Sequence, residues 1–225
     1  MQRVVIPELL DSDAGTPEEV RTALRDLRLI NRCFGGTSTT ASLLRRIAEK
    51  TGKRELSVLD VGAGPGESAL AAADELARAG IKVHITLMDR AATHLPRNGI
   101  PAIVGDALEL PFCGGSFDVV TSCLFVHHLE PAQIVQHMGE ALRVCRVAAV
   151  INDLNRSAAH VALVYAGLPL FRSRITWHDA PASVRRAYTP AELREILERT
   201  GAARLDITAH YLFRIGAIAW KAAHD

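Results

Sequence analysis

The sequence predicts an α/β fold in which a mostly parallel sheet is wound on both faces by helices. Three observations carry that prediction. A short apolar strand runs into a glycine turn and an alanine-rich helical stretch, Ser57-Val-Leu-Asp-Val-Gly-Ala-Gly-Pro-Gly-Glu-Ser-Ala69. Strand-like and helix-like runs then alternate to about residue 152, which is the pattern of a doubly wound parallel sheet. A chain of 225 residues that is 48% hydrophobic can fill the core of one domain with additions.

The elements follow in order. Residues 1–13 carry no clear signal. Thr16-Pro-Glu-Glu19 supplies an N-cap, a proline at the first helical position and a glutamate at the third, which together make a capping box. Val20, Ala23, Leu24, Leu27 and Ile30 then recur at helical spacing and predict one packed face. Asn31-Arg-Cys-Phe-Gly-Gly-Thr37 interrupts the helix and reads as a helix-helix turn. A second helix, about 40–50, carries Leu43, Leu44 and Ile47. Residues 1–54 are therefore expected to form an N-terminal helical cap, and 55–225 the main domain.

Strands are expected near 57–61, 82–88, 102–105, 117–122 and 147–152. A helix from Pro131 places Ile134, Val135, Met138 and Leu142 on one face. Residues 155–188 read as an insertion where a substrate lid would sit. Within it, 158–171 is apolar all round, so it must bury itself against the domain, a partner subunit or an apolar substrate. A second capping box, Thr189-Pro-Ala-Glu192, opens a helix that stops at Gly201, and two strand-like runs, 205–209 and 212–220, follow.

Composition narrows the function. Lys plus Arg total 26 against 25 acidic residues, for a net charge of +1, which argues against a dedicated nucleic-acid binder. Cys33, Cys113, Cys123 and Cys145 form no Cys-x-x-Cys pair, so neither a zinc site nor a disulfide framework is expected, and no metal is assigned. The first residues are too weakly apolar for a signal peptide and lead to Asp11 and Asp13. The longest apolar run, 161–171, is well short of the roughly 20 residues that span a bilayer. A soluble, cytoplasmic protein without a membrane span is expected.

The glycine turn carries the chemistry. Glycines at the carboxyl end of a parallel strand let backbone approach a ligand where a Cβ would intrude, and the next helix aims its free amides there. A dinucleotide fingerprint is Gly-x-Gly-x-x-Gly, whereas here Gly66 comes one residue early. Asp60 also sits at the strand end, where it suits a ligand with positive charge or amine donors.

The pattern Asp60-x-Gly62-x-Gly64-x-Gly66 resembles the first motif of the class I S-adenosylmethionine (SAM) dependent methyltransferases, and Ala63 lies within it. Three further stretches resemble that family's later motifs: 83–89 ending in Asp89, then Ile103-Val-Gly-Asp-Ala-Leu-Glu-Leu-Pro-Phe112, then Phe117-Asp-Val-Val-Thr-Ser-Cys-Leu124. The resemblance implies a Rossmann-like doubly wound seven-stranded sheet with an antiparallel C-terminal hairpin. It implies SAM as cofactor and S-adenosylhomocysteine (SAH) as product. Asp89, followed by Arg90, would hold the ribose hydroxyls. Asp106 would accept from the adenine amino group, the Ala107 amide would meet the ring beside Gly105, and Cys123 would touch the cofactor or pack as a small residue.

The residues after the fourth strand exclude two mechanisms. Asn/Asp-Pro-Pro-Tyr/Phe, used on exocyclic amines of nucleobases, is replaced by Thr121-Ser-Cys-Leu, and the Pro-Cys nucleophile of 5-methylcytosine enzymes is missing. Methyl transfer from a sulfonium then needs alignment and, for an oxygen or carbon nucleophile, removal of a proton. His127, His128, Asp153 and His178 are the candidate bases. Asn152-Asp-Leu-Asn-Arg156 with His178-Asp-Ala-Pro-Ala-Ser-Val-Arg-Arg186 resembles a bacterial small-molecule subgroup related to the ubiquinone/menaquinone methyltransferases. A small hydrophobic, aromatic hydroxylated acceptor of secondary metabolism is expected, with O-methylation favoured. C-methylation of a quinol, RNA methylation and SAM binding without catalysis are the alternatives, and a homodimer is left open.

Overall fold

The computed structural model describes residues 1–12, 14–96 and 98–222, and Asp13 lies outside them. Seven strands form one sheet in the order β3-β2-β1-β4-β5-β7-β6. β1 (Glu55–Val61) runs parallel to β2 (Lys82–Asp89) on one side and to β4 (Phe117–Cys123) on the other. β3 (Ala102–Val104) edges the sheet beside β2, and β5 (Cys145–Leu154) continues it parallel to β4. β6 (Arg204–His210) and β7 (Arg214–Trp220) form the antiparallel hairpin, with β7 paired to β5. The fold class expected from the sequence is therefore the one observed. Because strand order reverses between β1 and β4, a crevice opens beyond their carboxyl ends.

Side-chain alternation along β1 divides the core. Leu56 and Val58 face one cluster, with Leu43, Leu44 and Ile47 of α2 (Gly36–Thr51), Leu76 of α3 (Glu67–Arg78), and Val150 and Ile218. Leu59 and Val61 face the other, with Ile134 and Met138 of α4 (Pro131–Val144), Leu193 and Leu197 of α7 (Pro190–Leu197), and Ile151 and Ile215. Each such fully buried aliphatic side chain contributes roughly 1.5–3 kcal/mol. α1 (Pro17–Cys33) and α7 both open with the capping boxes read from the sequence, each closed by reciprocal bonds between a threonine and a glutamate.

Two stretches differ from expectation. The α1–α2 joint is narrower than 31–37: only Phe34 and Gly35 separate the helices, and α2 starts at Gly36. Asn152 Nδ2 donates to Gly36 O (2.7 Å) and Thr40 Oγ1 (2.9 Å), so the end of β5 fixes the first turn of α2. α2 lies on the sheet against β5 and β7, while α1 packs on α2, α3 and α6 (Arg174–Arg186). In the insertion, α5 (Ala158–Gly167) ends earlier than 171, at a 3-10 turn Leu168–Leu170 containing Pro169, whose missing amide cannot continue the helix ladder. α6 was not foreseen, since its arginines read as a solvated cluster. Its N-cap Ser173 accepts from the Ile175 amide, and Ile175 and Val184 are buried.

Gly66 fixes the β1 turn against the core. Its φ is +75°, and a Cβ there would lie 2.5 Å from Leu87 Cδ1, a side chain that is itself fully buried. Gly80 has the same backbone (φ +74°) with nothing within 4 Å. Gly66→Ala should cost about 2–4 kcal/mol, from left-handed backbone plus overpacking, and Gly80→Ala about 1 kcal/mol. Urea unfolding of the two variants checks this, with equal losses removing the steric component.

Candidate functional site

A cavity of about 530 Å³ opens above the carboxyl ends of β1, β2, β4 and β5 and is roofed by α1, α5 and α6. Its first half is built from the β1 turn. Gly62 (φ +66°) lies under Phe125, where a Cβ would be 2.3 Å from Phe125 Cδ2. Ala63 N–H donates to Met88 O (3.1 Å), and Gly64 N–H to Asp89 Oδ2 (2.7 Å). Asp89 Oδ1 accepts from Ala91 N–H (2.9 Å), so this carboxylate is oriented by two backbone amides from different strand ends. Asp60 is 2% exposed, and Thr121 Oγ1 donates to it at 2.7 Å. Burial pushes the Asp60 carboxyl up to about 7, the Thr121 bond opposes this in part, and the Asp89 charge adds to it.

Gly105, Asp106 and Ala107 line the cavity beside these groups, as do exposed Arg90 and Cys123. Gly105 N–H donates to Asp89 O (3.1 Å), and Asp106 Oδ1 accepts from Leu108 N–H (2.9 Å). Beneath them His137, fully buried on α4, bridges Ala107 O (3.0 Å, from Nδ1) and Ser122 Oγ (2.9 Å, at Nε2). Burial holds its pKa below the usual histidine value, so it is a neutral strut. Burial also raises the Cys123 thiol, which opposes a thiolate nucleophile. Gly66 is not among the lining residues, and its place is the steric one against Leu87.

The second half is closed by residues 1–12. Val4 N–H donates to Arg185 O (3.0 Å), and the Leu9 and Leu10 amides donate to the two carboxylate oxygens of Asp179 on α6 (2.8 and 3.0 Å). Arg3 reaches Arg186 O (2.8 Å) and Glu130, and stacks on the Tyr188 ring. This strap carries Glu8, 9% exposed, to the end of β4. His127 stands there, 2% exposed, with its amide and Nδ1 on Asp153 (2.9 and 2.7 Å) and its Nε2 3.5 Å from Glu8 Oε1. Burial opposes a charge on His127, but the carboxylates of Asp153 and Glu8 override it and raise its pKa to about 10. With no ion between it and Glu8, the ring is thus favoured in its protonated form and is a poor general base.

Of the four candidate bases, His127 and His128 line the cavity, with rings 4.1 Å apart. Asp153 stands behind His127 and not at the surface of the cavity. His178 is exposed and is not a lining residue, and its Nδ1 turns to Asp179 (2.8 Å). Sequence reasoning missed Glu8, Asp11, His137 and Arg214. Arg214 is 1% exposed at the start of β7, bound to Phe34 O (3.2 Å) and Asn31 Oδ1 (3.0 Å), with no hydrogen-bond partner for its second terminal nitrogen among the described residues and its side chain on the cavity. None of these lies in a local motif, so only their residue types offered a signal.

Residues 58–148 match the family model for a methyltransferase domain. No curated protein matches the sequence. Among solved structures the chain is similar to the plantazolicin methyltransferase BpumL bound to a pentazolic analogue and SAH (13% identity, 95% of each chain covered, TM-score 0.69). It is similar to magnesium protoporphyrin IX methyltransferase from Synechocystis with bound SAH (17% identity, 83% of this chain and 84% of that one, TM-score 0.53). It also spans 56% of a Nostoc punctiforme chain with a provisional O-methyltransferase assignment (17% identity, 81% of this chain, TM-score 0.54). Residues 58–148 thus match a methyltransferase domain, and the chain as a whole shares the fold of SAH-bound methyltransferases.

Proposed function

We propose that the chain methylates a small hydrophobic, aromatic hydroxylated molecule on oxygen, in the manner of the bacterial subgroup related to the ubiquinone/menaquinone methyltransferases. The observation that carries this reading is the division of the cavity. Leu24, Leu27, Leu163, Val164 and Phe171 give it apolar walls, while Glu8, His127 and His128 gather polar groups at one end near the β1 turn. A flat apolar molecule with one polar edge suits such a space. The acceptors named for the neighbours, azole-bearing analogues and magnesium protoporphyrin IX, are in keeping with it.

In this reading Gly62, Ala63 and Gly64 pass under the cofactor, Asp89 holds the ribose, and Asp106 and the Ala107 amide hold the adenine. Asp60 accepts from the methionine ammonium. The second terminal nitrogen of Arg214 pairs with the methionine carboxylate, a charge-assisted bond for which guanidinium geometry is suited. A bound SAM would supply an electrophilic methyl group, and the His127 end would hold the acceptor oxygen as an oxyanion whose proton has passed to solvent, so that methyl transfer leaves neutral SAH and the methyl ether. Alignment would supply most of the rate, and Asp153 holds the His127 ring at that end of the cavity.

Asp89→Ala removes an acceptor and frees the Gly64 amide, so SAM should bind about 1–3 kcal/mol more weakly by calorimetry. Unchanged affinity would remove the ribose role. The elevated Asp60 pKa gives a pH dependence whose sign can be worked out. In the free protein the carboxyl is largely neutral below about pH 7, and a cationic ligand favours its ionised form. Binding thus expels a proton, and SAM affinity should be highest above pH 7 and fall by up to about tenfold per unit below it. Asp60→Asn should flatten that profile. The acceptor class is tested with methyl-labelled SAM and extract of the source cells. Label in the organic-soluble fraction is expected. Label in RNA, or none despite measurable SAM binding, overturns the proposal.

A further inference from the structure

We infer that Glu8, His127 and His128 form a binding site for one divalent transition-metal ion at the acceptor end of the cavity. The three side chains come from elements far apart in sequence, the N-terminal strap and the 3-10 turn Val126–His128, yet their ligand atoms all lie within 4.8 Å of one another. Glu8 Oε1 is 3.5 Å from His127 Nε2, and Glu8 Oε2 is 3.9 Å from His128 Nε2. Ligands on one zinc-like ion stand roughly 3.4 Å apart, so the set needs only a slight contraction. Among the described residues Glu8 Oε1 has no hydrogen-bond partner, although the side chain is more than nine-tenths buried. Its 3.5 Å approach to His127 Nε2 is an ion-pair contact without hydrogen-bond geometry, and a cation between it and the imidazoles would satisfy the buried oxygen more fully.

The outer groups support the same conclusion. His127 turns Nδ1 to Asp153 (2.7 Å), and His128 turns Nδ1 to Asp11 (3.0 Å). Each imidazole therefore presents Nε2 to Glu8 with a carboxylate behind it, which is the arrangement that fixes the tautomer of a metal-ligating histidine. With neutral imidazoles, the carboxylates of Glu8, Asp11 and Asp153 outnumber the guanidiniums of Arg186, which donates to His128 O (2.6 Å) and stands 3.5 Å from Asp11, and of Arg214, which faces Asp153. The cluster is then anionic and suits a doubly charged ion. Two imidazoles and one carboxylate select zinc, iron(II), cobalt(II) or manganese(II) over calcium or magnesium, and three protein ligands leave positions open to the cavity. On the methyltransferase reading, an acceptor oxygen would occupy one of them. The ion's binding does not rest on that reading, but its role does. No metal was expected from the sequence, because Glu8 and Asp11 lie in a stretch without a motif.

The test uses tag-free full-length protein, stripped with EDTA, dialysed and titrated with Co2+ and then Zn2+, with SAM binding measured on the same sample. One equivalent of Co2+ should bind with ligand-field absorption in the visible and be displaced by Zn2+. Glu8→Ala and His128→Ala should each weaken it by more than 100-fold, and Asp11→Asn, which removes the carboxylate behind His128, by roughly 10- to 100-fold. Thermal unfolding establishes that each variant is folded. Stoichiometric binding that survives Glu8→Ala or His128→Ala overturns the site, as does SAM binding without any ion. Failure to bind SAM would instead strike at the cofactor roles proposed above.

Discussion

The turn after β1 can pass where it does only because Gly62 and Gly66 lack a Cβ. Leu87 fills the space behind one and Phe125 the space above the other, both at distances no side chain could share. This close approach brings the Gly64 amide to Asp89 and so locks the ends of β1 and β2 at one height. The Asp89 carbonyl in turn accepts from Gly105 and brings in the loop after β3. A rigid floor with its donors and acceptors already oriented loses little entropy on binding, so the cofactor half of the cavity is set by backbone contacts that most side-chain changes would leave alone.

The acceptor half is held differently. Its strap has no helix or strand of its own beyond a short turn, and its backbone amides are satisfied by Asp179 and its charges by Glu130, Tyr188 and the α6 carbonyls. One carboxylate on α6 therefore decides where Glu8 and Asp11 stand. Few apolar side chains anchor this segment, and such regions open at lower free energy than a core strand. A floor that is fixed and a strap that can lift would let an acceptor enter without disturbing the cofactor.

That contrast also explains what was legible in the sequence. The β1 turn, both capping boxes, the strand positions and the hairpin are local patterns, where the residues that cause the structure are neighbours in the chain. Glu8 acquires its meaning from His127, Arg214 from Asn31 and Phe34, and Leu9 from Asp179. No spacing rule links such distant residues. α6 was missed for a related reason, since its arginines advertise a solvated surface while Ile175 and Val184 bury the opposite face. His178 is the converse case: an attractive residue type whose side chain is exposed on α6 and does not line the cavity.

The same asymmetry governs how far resemblance to known methyltransferases reaches. The matched stretch, 58–148, contains Asp60, the glycine turn, Asp89, Asp106 and the His127-His128 pair, but ends before Asp153. The apolar wall residues of α1 and the insertion, Leu24, Leu27, Leu163, Val164 and Phe171, lie outside it, as do Glu8 and Asp11. Neighbours below 20% identity share the sheet and the crevice at the switch point, and a crevice is compatible with many acceptors. The strap supplies what the matched stretch lacks: Asp11 behind His128, and Glu8, whose Oε1 has no hydrogen-bond partner among the described residues, facing the His127-His128 pair.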